Sequence, residues 1–334
     1  AIDHGIGALL CDALAGESGA GATLRDALTP GVRAAAARDV LEQRELQAVT
    51  MALADAGVPS LITKGAALAY TVYRQPWLRP RIDTDLLVRA RDMPSATLVL
   101  ERCGYSRSHA VSTGALVSHQ IVFQRIDAHR VSHVIDLHWK TANPQVVADA
   151  LAFDDLWNDA QPAPALGGSA RVPPAVASLA LACVHRLAHH QRHDRLIWLY
   201  DVKLLAAALS PNDWSSFREL ACGHGIAGFC LDGLRSAQAH LYSQLPHAVE
   251  DALAAAAPTE ASRAYVSGFV TKRDVLWSDL KTLDTWSDRV RLVREHAFPP
   301  VAFIQQRYGT SARWLLPALY VHRLVTGASR WGRS

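Results

Sequence analysis

The spacing of apolar residues divides the chain into a helical start, a mixed middle and a helical end. Residues 1–57 are rich in Ala and Leu, and apolar side chains recur at helical spacing, most regularly over residues 32–56. Residues 58–158 instead alternate short apolar runs with helical segments. After residue 175, apolar residues return every three or four positions in one segment after another. The pattern therefore predicts strands only in the middle of the chain.

The middle region is organised around residues 61–88, which read LITKGAALAYTVYRQPWLRPRIDTDLLV. This stretch predicts a strand, a turn, a helix, an Arg-rich loop and a second strand. We expect the second strand to be buried from Ile82 onward, and it carries Asp83 and Asp85. Because side chains alternate along a strand, both carboxylates face one side, with Cα atoms about 6.5 to 7 Å apart.

Two interpretations of this acid pair are open. In one, the carboxylates cap the next helix or pair with Arg79 and Arg81. In the other, they bind a metal ion, because burying like charges together costs several kcal/mol unless a cation neutralises them. The turn at Lys64-Gly65, just upstream, favours a site for phosphate chemistry.

A β-hairpin is predicted next. Residues 120–126 and 131–139 are rich in β-forming residues and flank a short polar turn. In the second of these strands, Asp136 and His138 share one face. Since apolar residues flank Asp136 on both sides, we expect its carboxylate to be partly buried, as a third strand acid.

Composition narrows the class of protein. With 334 residues, of which 50% are hydrophobic, the chain can bury a large core. No segment has the length of a membrane span, and the start of the sequence lacks the pattern of a signal peptide, so we expect a cytoplasmic protein. The five scattered cysteines are expected to be reduced thiols. A net charge of +3 is too small to indicate nucleic-acid binding.

Two clusters of charged or titratable residues lie in the helical end. His185, His189 and His193 recur every four residues, which stacks them on one helical face. Because no glutamate of the metalloprotease type lies near, a polar cleft wall is favoured over a zinc site. Residues 286–334 contain eight arginines and two acidic residues. They form either a solvated helix face or a docking surface for an anionic partner.

The parts described so far fit phosphoryl or nucleotidyl transfer. Two Mg²⁺ ions about 3.5 to 4 Å apart can clamp the attacking and leaving oxygens, and strand carboxylates are natural ligands for them. Asp83 and Asp85 supply the bridge. Asp136 completes the first metal site and is placed to take a proton from an acceptor hydroxyl.

Donors for the phosphates are also at hand. Gly65 lets the backbone approach a phosphate closely, and the helix that follows offers its N-terminus. Lys64 adds a positive charge, and Arg79 and Arg81 are candidates to hold the outer phosphates.

These residues resemble a known family, the uncharacterised bacterial nucleotidyltransferases of the DNA polymerase β-like superfamily. The resemblance spans most of residues 58–325, with weaker matches in its helical part. The motifs that carry it are Lys64-Gly65-x-x-Leu68, Arg79-Pro80-x-x-Asp83-x-Asp85-Leu86-Leu87-Val88 and Ile135-Asp136-Leu137-His138-Trp139. One departure is Gly65-Ala66, where many members of the superfamily carry Gly-Ser.

The resemblance implies an α+β fold, with a small mixed sheet flanked by helices and followed by an all-helical C-terminal domain. It implies Mg²⁺-dependent transfer of a nucleotide from an NTP, with Asp83, Asp85 and Asp136 as metal-binding catalytic acids. The expected parts are a helical segment (1–57), a catalytic domain (58–158), a Pro/Gly linker or small hairpin (159–175) and a helical acceptor-binding domain (176–334).

Relatives of this kind accompany biosynthetic genes for exopolysaccharides and lasso peptides. The resemblance therefore implies transfer of AMP from ATP to a hydroxyl of a peptide or small molecule. We expect the acceptor to contact His138, His185 and His189. The alternatives are phosphoryl transfer to the same kind of hydroxyl, and a non-catalytic, antitoxin-like binding protein on the same fold.

Overall fold

The computed structural model of the chain describes residues 2–111, 114–190, 195–266 and 271–330, without the side chains of residues 189, 190, 264, 272 and 327–330. Its strands form one five-stranded sheet and one small hairpin. The strands are β1 (Ser60–Thr63), β2 (Thr84–Val88), β3 (Ser106–Ser108), β4 (Gln120–Ile126), β5 (Ser132–His138), β6 (Gln161–Pro162) and β7 (Arg171–Val172).

Helices flank the sheet and make up nearly all of the described chain after β7. Those before β7 are α1 (Gly7–Ala13), α2 (Ala20–Asp55), α3 (Lys64–Thr71), α4 (Met93–Arg102), α5 (Gln145–Ala148) and α6 (Phe153–Asn158). Those after it are α7 (Ala175–His190), α8 (Leu196–Ala208), α9 (Pro211–Gly223), α10 (Ala227–Leu241), α11 (His247–Ala256), α12 (Arg263–Val266), α13 (Lys272–Thr282), α14 (Trp286–Ala297), α15 (Val301–Tyr308) and α16 (Leu316–Arg330).

The large sheet is mixed and has the order β1-β2-β5-β4-β3. β2 and β5 run parallel, whereas the other neighbours are antiparallel. A parallel pair needs a crossover, and here the chain passes through α4, β3 and β4 before returning as β5. The pairing sets Asp85 directly opposite Asp136. The predicted α+β fold, with a small mixed sheet and a helical C-terminal region, is confirmed.

Alternation along the strands gives the sheet two different faces. Ile62 and Leu86 pack against α2 and α4 on one face, in a fully buried apolar cluster. Leu61 and Leu87 pack on the other face, in a cluster shared with α3, α7 and α8. Burial of each such side chain contributes about 1.5 to 3 kcal/mol to the stability of the folded state. Asp85 has the same parity as Leu87, so its carboxylate points to the face that the helical region covers.

The expectation of a buried strand from Ile82 onward is wrong at its first positions. β2 begins at Thr84, and Ile82 is 80% exposed. The reason is the length of β1: it ends at Thr63, which pairs with Asp85, so the chain before β2 has no partner on that side. Ile82 instead lies at the edge of the large cavity described below.

The Pro- and Gly-rich stretch after residue 158 forms the β6–β7 hairpin. Its apolar residues, Leu166 and Val172 among them, are buried against the α2 face of the sheet. The side-chain amides of Gln43 and Gln47 in α2 both donate to the carbonyl oxygen of Ala165, at 2.6 and 3.0 Å. One apolar cluster contains residues of both the sheet and α7, so the packing is continuous across the predicted boundary between them. The predicted domain boundaries stay a prediction.

The C-terminal helices dock on the loop that enters β4. The Glu295 carboxylate of α14 accepts hydrogen bonds from three consecutive backbone N–H groups, those of residues 115–117, at 2.9 to 3.3 Å. Asp279 of α13 accepts the N–H of Gln145 at 2.7 Å. Both contacts tie the end of the chain to the sheet region. Among the described helices, none is long and apolar enough to cross a membrane.

Candidate active site

A cavity of about 410 Å³ lies between the sheet and the helical region. Its size suits a small-molecule ligand, since such sites typically measure about 300 to 1,000 Å³. The sheet side contributes the start of α3, the loop before β2 and the polar ends of β2, β4 and β5, whereas α7 and α8 form the opposite wall. The lining acids and cations on the sheet side are Lys64, Arg79, Arg81, Asp83, Asp85 and Asp136.

The structure brings the three predicted acids into this one cavity. Asp85 and Asp136 face each other from the paired strands β2 and β5. Ligand atoms of Asp85, Asp136 and His138 all lie within 4.8 Å of one another, which is a spacing that suits a shared metal ion. Asp83 lies just before β2 and lines the same cavity. Their catalytic and metal-binding roles stay predictions.

The acids strongly affect one another's protonation. Burial and the negative charge of Asp85 raise the pKa of Asp83 to about 6. Burial, Asp85 and Asp83 raise the pKa of Asp136 to about 7. Burial alone would also raise the pKa of Asp85, but Lys64 and His138 hold that pKa well below its ordinary range. A cluster of this kind is electrostatically suited to a bound cation, which would relieve the repulsion.

Lys64 supplies the positive charge that the cluster has in this structure. Its Nζ lies 2.7 Å from Oδ1 of Asp85, and both side chains are nearly buried. Lys64 is the first residue of α3 and has a φ of 52°, in the left-handed region. This conformation costs a non-glycine residue about 1 to 3 kcal/mol and is frequent at functional sites. The strand-to-helix junction thus directs the ammonium onto Asp85.

Gly65 follows, and here a side chain would be crowded. A Cβ at this position would lie 3.3 to 3.4 Å from the guanidinium group of Arg79. The glycine therefore allows the start of α3 to lie directly against an arginine. Its predicted contact with phosphate stays a prediction.

His138 lies beneath the acids and is 4% exposed. Its Nε2 is 2.9 Å from Oδ1 of Asp85, and burial, followed by the charge of Lys64, lowers the pKa of the imidazole. The ring is therefore neutral at pH 7, and its Nε2–H donates to the carboxylate. The structure gives His138 a contact with Asp85, and its predicted contact with the acceptor stays a prediction.

Gln120 is a site residue that the sequence did not indicate. Its side-chain amide donates to Oδ2 of Asp136 at 2.7 Å. The signal that could have indicated its position is the register of the β4–β5 hairpin, which pairs Gln120 with His138 and so brings the glutamine near the acids. Glutamine at the start of a strand carries no motif of its own.

Arg79 is held by a carboxylate from the helical region. Its guanidinium makes a two-pronged contact with Asp201 of α8, with Nε–Oδ1 at 2.9 Å and Nη2–Oδ2 at 2.8 Å. Tyr73 donates its hydroxyl to Oδ1 of the same carboxylate at 2.6 Å. Arg79 and Asp201 are 8% and 4% exposed, so this ion pair is buried.

Arg81 is held by α2. Its Nη2 lies 2.6 Å from Oδ1 of Asp39 and 3.0 Å from Oε2 of Glu42, and it also donates to the hydroxyl of Tyr70 at 2.8 Å. Arg79 and Arg81 both line the cavity while engaged in these contacts. Their predicted role as phosphate ligands stays a prediction.

Residues of α7 and α8 form the opposite wall. The rings of His185 and Trp198 meet edge to face, with centroids 6.3 Å apart, and both line the cavity. Of the other two histidines of the predicted cluster, the side chain of His189 and the whole of His193 lie outside the described residues.

Comparison with known proteins identifies the family. Residues 1–242 match the sequence profile of a family described as "Uncharacterised nucleotidyltransferase". The match contains the whole sheet, all three acids and helices α1 to α10. The chain belongs to this family. It is thus a nucleotidyltransferase, as the resemblance implied.

A search of curated proteins finds no match to this nucleotidyltransferase. Its family implies an NTP substrate, and enzymes of this kind generally use a divalent metal ion. The donor set beside the cavity fits such an ion, because ligand atoms of Asp85, Asp136 and His138 lie within 4.8 Å of one another, with Asp85 and His138 buried and Asp136 partly buried. The segment after residue 242, with helices α11 to α16, lies beyond the family match.

Proposed function

We propose that this nucleotidyltransferase moves AMP from ATP to a hydroxyl group of a peptide or small molecule. The observation that carries the proposal is the convergence of Asp83, Asp85 and Asp136 with Lys64 in one cavity of substrate size. We place the chain in the DNA polymerase β-like superfamily and propose a role in tailoring a natural product.

Asp83, Asp85 and Asp136 would hold the metal, which we propose to be two Mg²⁺ ions. Bound Mg²⁺ supplies charge neutralisation at the transferred phosphate and at its leaving group. The protein contributes the crowded carboxylates, and burial together with their mutual repulsion raises the pKa values of Asp83 and Asp136. Such a cluster gains more from binding a cation than isolated surface acids do.

Asp136 is the proposed base for the acceptor hydroxyl. Its carboxylate lines the cavity from the strand next to that of Asp85, so it lies beside the position where an acceptor hydroxyl would meet the transferred phosphate. Gln120 already donates to Oδ2, which leaves Oδ1 as the oxygen offered to the hydroxyl proton. The hydrogen bond also fixes the direction in which the carboxylate points.

Lys64 and the N-terminus of α3 are proposed to bind the phosphates. The ammonium shares the floor of the cavity with the acids, so it lies where a triphosphate would need neutralisation. The first N–H groups of a helix favour anions. Arg79 and Arg81 are proposed to keep their ion pairs when the nucleotide binds. The donors that remain on their guanidinium groups would then contact the outer phosphates.

The test is a transfer assay read by mass spectrometry. The enzyme is incubated with Mg²⁺, each of the four NTPs and hydroxyl-bearing peptides and sugars. We expect an acceptor whose mass rises by one nucleoside monophosphate, with ATP as the best donor. A rise by one phosphate would show phosphoryl transfer instead.

Two variants make this assay specific. Asp85→Asn should abolish the product, whereas Asp55→Asn, at an exposed acid at the end of α2, should leave it unchanged. A product that persists in Asp85→Asn would rule out the proposed site. Failure of every acceptor and NTP to react with the wild-type enzyme would favour a binding protein on the same fold.

A further inference from the structure

The four cations that line the cavity are unequally neutralised. Three of them have a carboxylate oxygen within 2.6 to 2.8 Å of a side-chain nitrogen. The fourth, Arg195, has no carboxylate partner among the residues that the structure describes. The three neutralised cations are Lys64, Arg79 and Arg81.

Arg195 lies at the rim of the cavity, immediately before α8, and is exposed. Its Nε donates to the backbone carbonyl of Asp3 at 3.0 Å, and one Nη lies against the turn at Gly5. The guanidinium carbon is 5.7 Å from the ring centre of Trp198. These contacts hold the side chain in place, and within the described part of the chain none of them is made with a carboxylate. An arginine fixed on an aromatic ring loses less side-chain entropy when it binds an anion.

The wall between Arg195 and the acids is aromatic and apolar. Trp198 contacts both Arg195 and His185. His185, Trp198 and Arg195 line the same cavity as the acids. Leu181 of α7 lines the same wall. The cavity therefore presents acids on its sheet side and, on its helical wall, two rings and an arginine that has no carboxylate partner among the described residues.

We propose that Arg195 and Trp198 form an acceptor subsite for a carboxylate or phosphate group that an apolar or aromatic spacer separates from the reacting hydroxyl. This inference rests on the proposed function, which places the triphosphate beside Lys64 and the acids. An anion bound at the rim lies apart from that position, so it belongs to the acceptor. A guanidinium group can hold either oxyanion with two parallel hydrogen bonds.

Calorimetric titration with three matched probes tests the subsite. The probes are phenylpropionate, phenylpropyl phosphate and phenylpropanol, which share one spacer and differ in the terminal group. They are titrated into the full chain without NTP or metal, so the result does not depend on transfer activity. We expect at least one of the two anions to bind about tenfold more tightly than the alcohol, because a guanidinium group forms charge-assisted hydrogen bonds with an oxyanion and not with a neutral hydroxyl. Comparing the two anions identifies carboxylate or phosphate as the preferred group.

Variants link this preference to the arginine. Arg195→Ala should remove it, Arg195→Lys should keep part of it, and Arg91→Ala, at an arginine whose side chain is 77% exposed, should leave it intact. Equal binding of the alcohol and both anions, or a preference that survives in Arg195→Ala, would overturn the proposal. A loss of Mg²⁺–ATP affinity in Arg195→Ala with unchanged probe binding would also overturn it, by assigning the arginine to the triphosphate. Because Asp85→Asn tests transfer separately, failure of the subsite and failure of the proposed function are distinguishable.

Discussion

Nζ of Lys64 lies 2.7 Å from Oδ1 of Asp85, and the two side chains are only 12% and 11% exposed. The same carboxylate oxygen lies 2.9 Å from Nε2 of His138. Lys64 thus acts as an internal counter-charge for an acid cluster that would otherwise repel itself. A metal ion that binds the cluster competes with this ammonium, so stability and metal affinity are linked through Lys64.

The first prediction concerns this link. Lys64→Met should lower the free energy of unfolding without metal by about 1 to 3 kcal/mol, because Asp85 keeps its charge and loses its partner. Added Mg²⁺ should then stabilise the variant more than the wild type, as measured by thermal unfolding in chelator and in Mg²⁺. Lys140→Met is the control, since its partner Asp149 is 75% exposed and such a pair is worth about 0 to 1 kcal/mol. An identical Mg²⁺ effect in wild type and Lys64→Met would contradict the link.

The second prediction concerns the buried ion pair between the sheet region and α8. Asp201→Asn should lower the free energy of unfolding by about 3 to 5 kcal/mol, because it leaves the Arg79 guanidinium buried without a counter-charge. The combined change Arg79→Met and Asp201→Leu should recover part of this loss, since it removes the unpaired charge but leaves the Tyr73 hydroxyl without its acceptor; denaturant unfolding measures both.

The control for the buried pair is an exposed one. Glu219→Gln removes the partner of Arg218, and both of these side chains are largely exposed, so we expect a change below about 1 kcal/mol. If Asp201→Asn costs no more than this control, the pair does not hold the two regions together.

The acids and their strands could be predicted from the sequence because their signals are local. Alternation puts Asp136 and His138 on one face of β5, and the hairpin before them has a clear turn. The exposure of Ile82 could not be predicted, since it depends on where β1 ends. The parallel pairing of Asp85 with Asp136 follows from a crossover that no local pattern encodes.

The partners of the arginines were equally hidden. Arg79 meets Asp201, which lies 122 positions later in the chain, and Arg81 meets Asp39 from the long helix α2. Sequence motifs indicate which charges matter at a site but not which of them are already neutralised. The presence or absence of a carboxylate partner among the described residues distinguishes Arg195 from the other cations of the cavity. This could be seen only from the positions of the side chains.

The third prediction concerns pH. Burial raises the pKa of Asp279 in α13 to about 7 from an ordinary 3.8. The folded state therefore holds this proton more tightly than the unfolded state does, and the resulting stabilisation is fully present below about pH 4 and lost as the pH rises through about 7. The free energy of unfolding should fall over this range by up to a few kcal/mol from this group.

Asp279→Asn isolates the contribution, because the amide oxygen can still accept the N–H of Gln145 and cannot titrate. Unfolding in denaturant at about pH 5 and about pH 8 should show the wild type losing stability relative to this variant. Asp284→Asn, at an exposed position, should follow the wild type at both values. A wild type and an Asp279→Asn variant with parallel pH profiles would show that this carboxyl group titrates normally.

Asp83, Asp85 and Asp136 are proposed to form one metal site for the triphosphate. The most direct measurement is the affinity for ATP with and without Mg²⁺, determined by calorimetry for the wild type, Asp85→Asn and Asp136→Asn. A metal site at these acids predicts that the wild type binds ATP at least about tenfold more tightly with Mg²⁺ and that either substitution removes this gain, because the acids would hold the ion. Equal ATP affinity with and without Mg²⁺ in the wild type, or an unchanged gain in both variants, would contradict it.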